Sequence, residues 1–361
     1  MSSKIKTSKI KFLNAVQTFA LYDDFLNDAY SGRRTKKNGK RINKDTVTSY
    51  THIRKHLFEF SEVKTFEMKI YIDSNLSQTE KISASRYYKQ FYFAFTNYMY
   101  DDKNFFDNYV GQIMKGIRCF FNYLENDKRI SVGHYHRSFF VPKEEIPIVA
   151  LTATNLNYII YNDQFNQLIK SKKLEKIKDV FVFGCSVALR ISDLLQLSRK
   201  NLIVMEGKYY LQVKSQKTST NTSIKLPKYC IDIIIKYQSE NDLLLPDIST
   251  QFFNRKLKDL AILLPDNFEY IKVREQRGKQ IIVFKDSVNK THYKLSDHIT
   301  SHTMRRTAIS IMLNLGMPEH IVRKISGHAP NSREFYRYVQ MSQSLIDQES
   351  DKVFKKISSM K

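Results

Sequence analysis

The 361-residue chain has no tryptophan, only three cysteines, ten glycines and seven prolines. Cys119, Cys185 and Cys230 are far apart and odd in number, which argues against a disulfide framework and against a thiolate metal site. Each reads as a small core residue. No stretch approaches the roughly 20 apolar residues of a membrane span, and the opening MSSKIKTSKI lacks the apolar run of a signal peptide, so the expectation is a cytoplasmic protein with no membrane partner. Internal repeats and low-complexity segments are also missing. Acid is the remaining scarcity: 36 Asp and Glu stand against 59 Lys and Arg, a formal charge of +23. That imbalance points to a polyanionic partner. Residues 1–150 carry +9 and residues 151–361 carry +14, so the excess belongs to both halves and not to a detachable tail.

What is present is core material. Hydrophobic residues make up 42% of the chain and aromatics 13%, with 24 Phe and 22 Tyr, enough for two domains of ordinary size. The first third reads as helical. Val47, Tyr50, Ile53, Leu57 and Phe60 recur at spacings of three and four, predicting an amphipathic helix over 46–60, and Tyr109, Ile113, Ile117, Phe120 and Leu124 do the same over 104–127. Just before the first of them the run SGRRTKKNGKRINK (31–44) holds seven basic residues in fourteen, too polar to bury and suited to lying along phosphates. A solvated loop is the plainer alternative.

Periodicity breaks over 128–148, which includes Pro142 and Pro147 and is the best linker, so the domain boundary is set at 145/146. Helical patterns follow over 153–170 and 175–189. Short strands are expected at 201–205, 208–214 and 223–226, and a further β-like stretch at 270–284 turns at Arg277-Gly278. The basic stretch 266–300 that contains it could touch DNA or brace the sheet. The C-terminus returns to helix.

Three separated clusters carry chemistry. In ALRISDLL (188–195), Arg190 ends an apolar helix and Asp193 follows; alone, this is most simply a structural salt bridge. In SHTMRRT (301–307), His302 and Arg305 are three apart on one helix face. In SGHAP (326–330), a glycine-terminated helix precedes His328, and Phe335-Tyr-Arg-Tyr338 comes next. Singly, that histidine and those tyrosines are ordinary packing residues.

Together, in this order, they resemble the tyrosine recombinase family, also called the phage integrase or lambda-integrase-like family. The resemblance spans essentially the whole chain, and HTMRRTAISIMLNLGMPEHIVRKISGH is similar in wording to integrases of Bacteroidetes mobile elements. It implies a mainly α fold with a small antiparallel β-sheet in the catalytic domain: a helical core-binding domain (1–145) and an α+β catalytic domain (146–361) with a C-terminal oligomerisation tail. It further implies Arg190 as the first catalytic arginine, His302 and Arg305 as the H-x-x-R box, Gly327-His328 as the G-H box, and Lys217 as the β-hairpin lysine. Two points depart from the family pattern. The register F-x-(K/R)-Y selects Tyr338 as nucleophile over Tyr336 and requires one extra residue in the loop 329–333. Only about 20 residues precede the first matched helix, so a separate arm-binding module is not expected.

The implied chemistry is strand breakage and rejoining through a 3′-phosphotyrosyl link, without metal, ATP or any other cofactor. Tyr338 attacks. Arg190 and Arg305 hold the non-bridging oxygens as charge develops, Lys217 protonates the departing 5′ oxygen, and His302 and His328 supply hydrogen bonds and proton handling. The partner is double-stranded DNA, gripped by a clamp of the two domains, with Arg33, Arg34, Lys36, Lys37, Lys40 and Arg41 on phosphates. Strand exchange implies a homo-tetramer on DNA and a monomer or dimer when free, with Leu345, Ile346, Val353, Phe354 and Ile357 in the tail. The sequence leaves open an accessory DNA-bending or directionality factor. Three other readings also stand at this stage: a topoisomerase with the same cleavage chemistry, a catalytically inactive DNA-binding protein of this fold, and a metal-dependent nuclease built on the histidines. The arginines beside the histidines disfavour the last, since they repel a cation.

Overall fold

The computed structural model describes residues 10–36, 38–214, 221–238, 242–329, 332–340 and 343–359. The chain divides into two compact units: residues 1–146 together with 273–282, and residues 147–272 together with 283–361. The mainly α fold with small antiparallel sheets expected from the sequence is what is observed.

In the first unit, strand β1 (Phe12–Leu13) pairs antiparallel with β2 (Ile70–Tyr71). Helix α1 (Ala15–Ser31) begins at a capping box, in which the Asn14 side chain accepts from Gln17 N while Gln17 returns a bond to Asn14 N. It stops at Gly32, whose φ of 84° suits a residue without Cβ. Helix α2 (Lys44–Val63) buries Ile53, Leu57 and Phe60, the face that the spacing predicts. Helix α3 (Gln78–Asn97) runs into a π-helical turn, Tyr98–Asp102, and α4 (Asp107–Asn126) follows. With no tryptophan available, rings of Tyr22, Phe25, Phe60, Phe95, Tyr98 and Tyr123 fill the core. Gly111 is fixed by contact: a Cβ there would lie 2.0 Å from the Pro142 carbonyl oxygen.

In the second unit, α5 (Ala153–Tyr161) and α6 (Asp163–Ser171) divide the single helical stretch expected over 153–170. Asn162 ends one and caps the other, its side chain accepting from Phe165 N at 2.8 Å. Helix α7 (Glu175–Val187) and the short α8 (Ile191–Leu194) lead into a three-stranded antiparallel sheet, β3 (Leu202–Met205), β4 (Lys208–Lys214) and β5 (Asn221–Lys225), in which Leu211 sits opposite Leu202 and Ile224. Next come α9 (Lys228–Tyr237), α10 (Thr250–Ile262) and β6 (Glu269–Tyr270). The hairpin of β7 (Lys272–Gln276) and β8 (Lys279–Val283) then intervenes before β9 (Tyr293–Lys294) returns to pair with β6. Helices α11 (Leu295–His298), α12 (Ser301–Asn314), α13 (Glu319–Ser326), α14 (Arg333–Gln340) and α15 (Gln343–Ser358) complete the chain. On α15, Val353, Phe354 and Ile357 are exposed. Among the described residues no helix is long and apolar enough to cross a membrane.

The sequence reading assigns all of 146–361 to one domain, whereas by contacts residues 273–282 belong with the first unit. The hairpin tip explains this. Arg277 and Gly278, both at positive φ as a tight two-residue turn requires, present their backbone N–H groups to the two Asp107 carboxylate oxygens at 2.8 Å each. The Arg277 guanidinium pairs with Asp101 in the π-helical turn. Behind the tip, Arg274 forms a bidentate pair with Glu144, whose side chain is only 1% exposed and also accepts from Glu275 N.

Candidate active site

The site in the second unit is assembled from the ends of helices. Helix α7 closes at Ala188, which takes a left-handed φ of 55°, and the chain then extends to Arg190 at the start of α8. The Arg190 carbonyl accepts from Asp193 N and Leu194 N, fixing the corner that carries its side chain. Helix α12 lies against α7 where Gly184 gives room: a Cβ there would come within 2.5 Å of Met304 Sδ. One residue on, Arg305 is 3% exposed. Its Nη1 donates to the Ala188 carbonyl at 3.0 Å and its Nη2 meets the His328 ring, 3.1 Å from Nε2 and 3.3 Å from Nδ1.

His328 follows the left-handed Gly327 that terminates α13, and its backbone N–H closes back on the Arg323 carbonyl. Its Nδ1 is 2.7 Å from Ser326 Oγ. Arg323 is itself buried, pairs with Glu319, and stacks over Phe335 and Tyr336 of α14. That contact separates the two tyrosines. Tyr336 is 50% exposed beside Arg323, while Tyr338 is 5% exposed and packs with Ala188, Val322 and Phe335, its ring centroid 6.2 Å from that of His328.

Charge is concentrated here. Burial, reinforced by the like charge of Arg190, pushes the Arg305 guanidinium down to about 10, with Tyr338 and Asp193 opposing. Burial, then Arg305, Arg190, Arg323 and His302, pushes His328 down to about 3, so the ring is neutral near pH 7. Arg305 has no carboxylate within ion-pair distance among the described residues; its partners are a carbonyl and an imidazole. A buried guanidinium bonded to a carbonyl and an imidazole keeps N–H groups that could meet an anion.

Arg190, Arg305, His328 and Tyr338 therefore lie in one neighbourhood, and His302, on the exposed face of the first turn of α12, is near enough to act on His328. Lys217 falls between β4 and β5 and lies outside the described residues, as do Pro330 and Asn331 of the loop expected to hold an extra residue. Of the basic run in the first unit, Arg34 points inward: its guanidinium stacks on Phe25 and donates to Cys119 Sγ at 3.0 Å. Arg33 pairs with Asp28, Arg41 reaches the Ser31 carbonyl, and Lys36 bonds Asn43, while Lys40 is exposed and Lys37 lies outside the described residues. Sequence reasoning missed the Ala188 carbonyl and Arg323. Ser326 stood within a quoted motif, but no pattern announced a role for it.

The fold and this arrangement define a helical protein with an anion-ready centre of two arginines, a neutral histidine and a buried tyrosine. Residues 159–344 match the model of the phage integrase family, and the chain belongs to that family. In structure it is similar to a lambda integrase dimer bound to a COC′ core site (12% identity, TM-score 0.58, covering 91% of this chain and 77% of that one). It is also similar to the XerH site-specific recombinase bound to a palindromic difH substrate (11%, 0.52, 84% and 79%). The Tn1549 transposon integrase in complex with transposon right-end DNA is a third (14%, 0.51, 89% and 93%). No curated protein matches the chain.

Proposed function

We propose that the protein is a metal-independent site-specific DNA recombinase that integrates, excises or inverts a mobile element. One observation carries the reading: among the described residues the buried Arg305 has no carboxylate within ion-pair distance, while Arg190, His328 and Tyr338 act on it from close by. A phosphodiester supplies the missing anion. Tyr338 attacks phosphorus, forming a 3′-phosphotyrosyl ester and releasing a 5′ hydroxyl. Arg190 and Arg305 hold the non-bridging oxygens, where charge grows in the five-coordinate transition state. Lys217 protonates the leaving oxygen, His302 hydrogen-bonds to the phosphate, and His328 acts through the guanidinium of Arg305. The ester conserves the bond, so the 5′ hydroxyl of a second duplex rejoins it without ATP.

In this reading the N-terminal unit is the core-binding domain, and its basic run (Arg33, Arg34, Lys36, Lys37, Lys40, Arg41) contributes phosphate contacts, with Arg34 acting from its aromatic cage as an anchor for the run. Exchange between two duplexes requires four protomers. The exposed apolar residues of α15 supply a surface for that assembly. The test is a covalent trap: nicked duplexes tiled across the DNA flanking the gene, in EDTA, probed for an adduct that survives SDS. Trypsin cuts at Arg333 and Arg337 and so puts Tyr336 and Tyr338 in different peptides. The adduct is expected on the peptide beginning at Tyr338, Tyr338→Phe is expected to lose it while still binding DNA, and Tyr336→Phe is expected to keep it. An adduct on the Tyr336 peptide overturns the nucleophile, and relaxation of supercoils without joining of two duplexes replaces recombinase by topoisomerase.

A further inference from the structure

Ser326 is 2% exposed, and its hydroxyl lies 2.7 Å from the Val322 carbonyl one helical turn back and 2.7 Å from His328 Nδ1. A hydroxyl has one proton, and a carbonyl oxygen can only accept. Ser326 therefore donates to Val322 and, towards His328, accepts. Nδ1 must then carry the ring proton. A neutral imidazole with Nδ1–H has its lone pair on Nε2, which is the nitrogen nearer to Arg305 Nη2, and a guanidinium can only donate. The two 2.7 Å contacts and the 3.1 Å contact are all satisfied by this one tautomer, with the Arg305 Nη2 proton turned to Nε2 and away from Nδ1, which lies farther off at 3.3 Å. With the proton on Nε2 instead, the 3.1 Å contact sets donor against donor.

We infer that Ser326 is a positioning residue: by fixing His328 in the Nδ1–H tautomer, it makes Nε2 an acceptor that orients the Arg305 guanidinium. The inference rests on the reading of Arg305 as the phosphate ligand. One continuous series of hydrogen bonds results, from Arg305 Nη2 to Nε2, from Nδ1–H to Ser326, and from Ser326 to the Val322 carbonyl. On its other side Arg305 is held by the Ala188 carbonyl. Both ends of the series thus terminate on backbone, in α13 and at the close of α7, and each bond polarises the next. The remaining guanidinium N–H groups are left for an anion, in a plane set before it arrives. A buried guanidinium without a carboxylate has little else to fix its plane, and small misplacements of such groups are costly to rate. The groups facing His328 are Arg305 and His302 from α12, Arg190 at the start of α8, Arg323 from α13, and Tyr338 from α14, and among the described residues no carboxylate is one of the groups acting on the ring.

The test reads the tautomer without DNA. Histidine ring 15N–1H correlation spectra of the full chain, with His328→Gln to assign the signals, are expected to show Nδ1–H in the wild type and in Ser326→Thr, and Nε2–H in Ser326→Ala. An Nε2–H wild type overturns the inference, as does a Ser326→Ala spectrum unchanged from wild type. If Ser326→Ala fails to fold, the wild-type and Ser326→Thr spectra decide. In single-turnover cleavage of a nicked duplex at saturating DNA, Ser326→Ala is expected to lose roughly 10- to 100-fold in rate with unchanged DNA affinity, and Ser326→Thr to restore it. Loss of affinity in place of rate overturns the positioning role. Absence of any cleavage by the wild type instead removes the recombinase reading and leaves the tautomer result standing.

Discussion

At the residue scale the protein keeps several histidines neutral. His328 is pushed down to about 3 and His136 to about 4, in each case chiefly by burial, and His56 and His298 are also lowered by burial. A group whose folded pKa lies below its unfolded value takes up protons more readily in the unfolded chain, so stability is complete above the unfolded pKa and falls as pH drops through the gap. For these side chains the gap runs downward from about 6.5. The lowered carboxylates, among them Glu144 and Asp297, begin to act only below their ordinary values of about 4. Urea midpoints are therefore expected to fall between pH 7 and pH 5, and His136→Phe, which removes one contributor, is expected to flatten that slope. A midpoint independent of pH over this range contradicts the burial of these rings. The resemblance expected Arg190, His302, Arg305, His328 and Tyr338 to share one site, and the structure brings these side chains into one neighbourhood. The role of Ser326 could not be read from the sequence, because it depends on which of two 2.7 Å neighbours takes the proton.

At the element scale the helices were readable wherever apolar residues recur every three to four positions, as in α2 and α4. The break at Asn162 was missed because the apolar pattern continues across it and only the side-chain cap interrupts the helix. Close approach is equally invisible in a pattern. Gly111 on α4 sits where the Pro142 carbonyl oxygen leaves no room for a methyl group, and a backbone carbonyl cannot swing aside as a side-chain tip can. Gly111→Ala is expected to cost about 2 to 3 kcal/mol, less any gain in helix propensity, and thermal unfolding of the full chain measures it. An unchanged midpoint shows that the 139–142 segment yields.

At the scale of the whole molecule, charge was available from composition and the run of helices from periodicity, since both are sums over many residues, while the fold class came with the resemblance. Binding to DNA is expected to follow the charge. Replacing Lys36, Lys40 and Arg41 together with alanine is expected to weaken affinity for unrelated duplexes and to reduce the slope of log affinity against log salt by about 2 to 3, one phosphate contact per side chain. An unchanged slope, measured by fluorescence anisotropy at several salt concentrations, removes these residues from the interface. Where the β7–β8 hairpin belongs could not be read. Its strands and its Arg277-Gly278 turn are plain in the sequence, but Glu144 lies 130 positions from Arg274, and nothing local marks them as partners.

That pairing also limits how such a gene can be cut and spliced. Two relatives trading halves at the linker codon would each inherit an N-terminal unit separated from the hairpin that belongs with it, leaving the acidic sockets at Asp107 and Glu144 facing a stranger's turn. A workable chimera must carry two segments from one parent, and the smallest heritable module here is discontinuous.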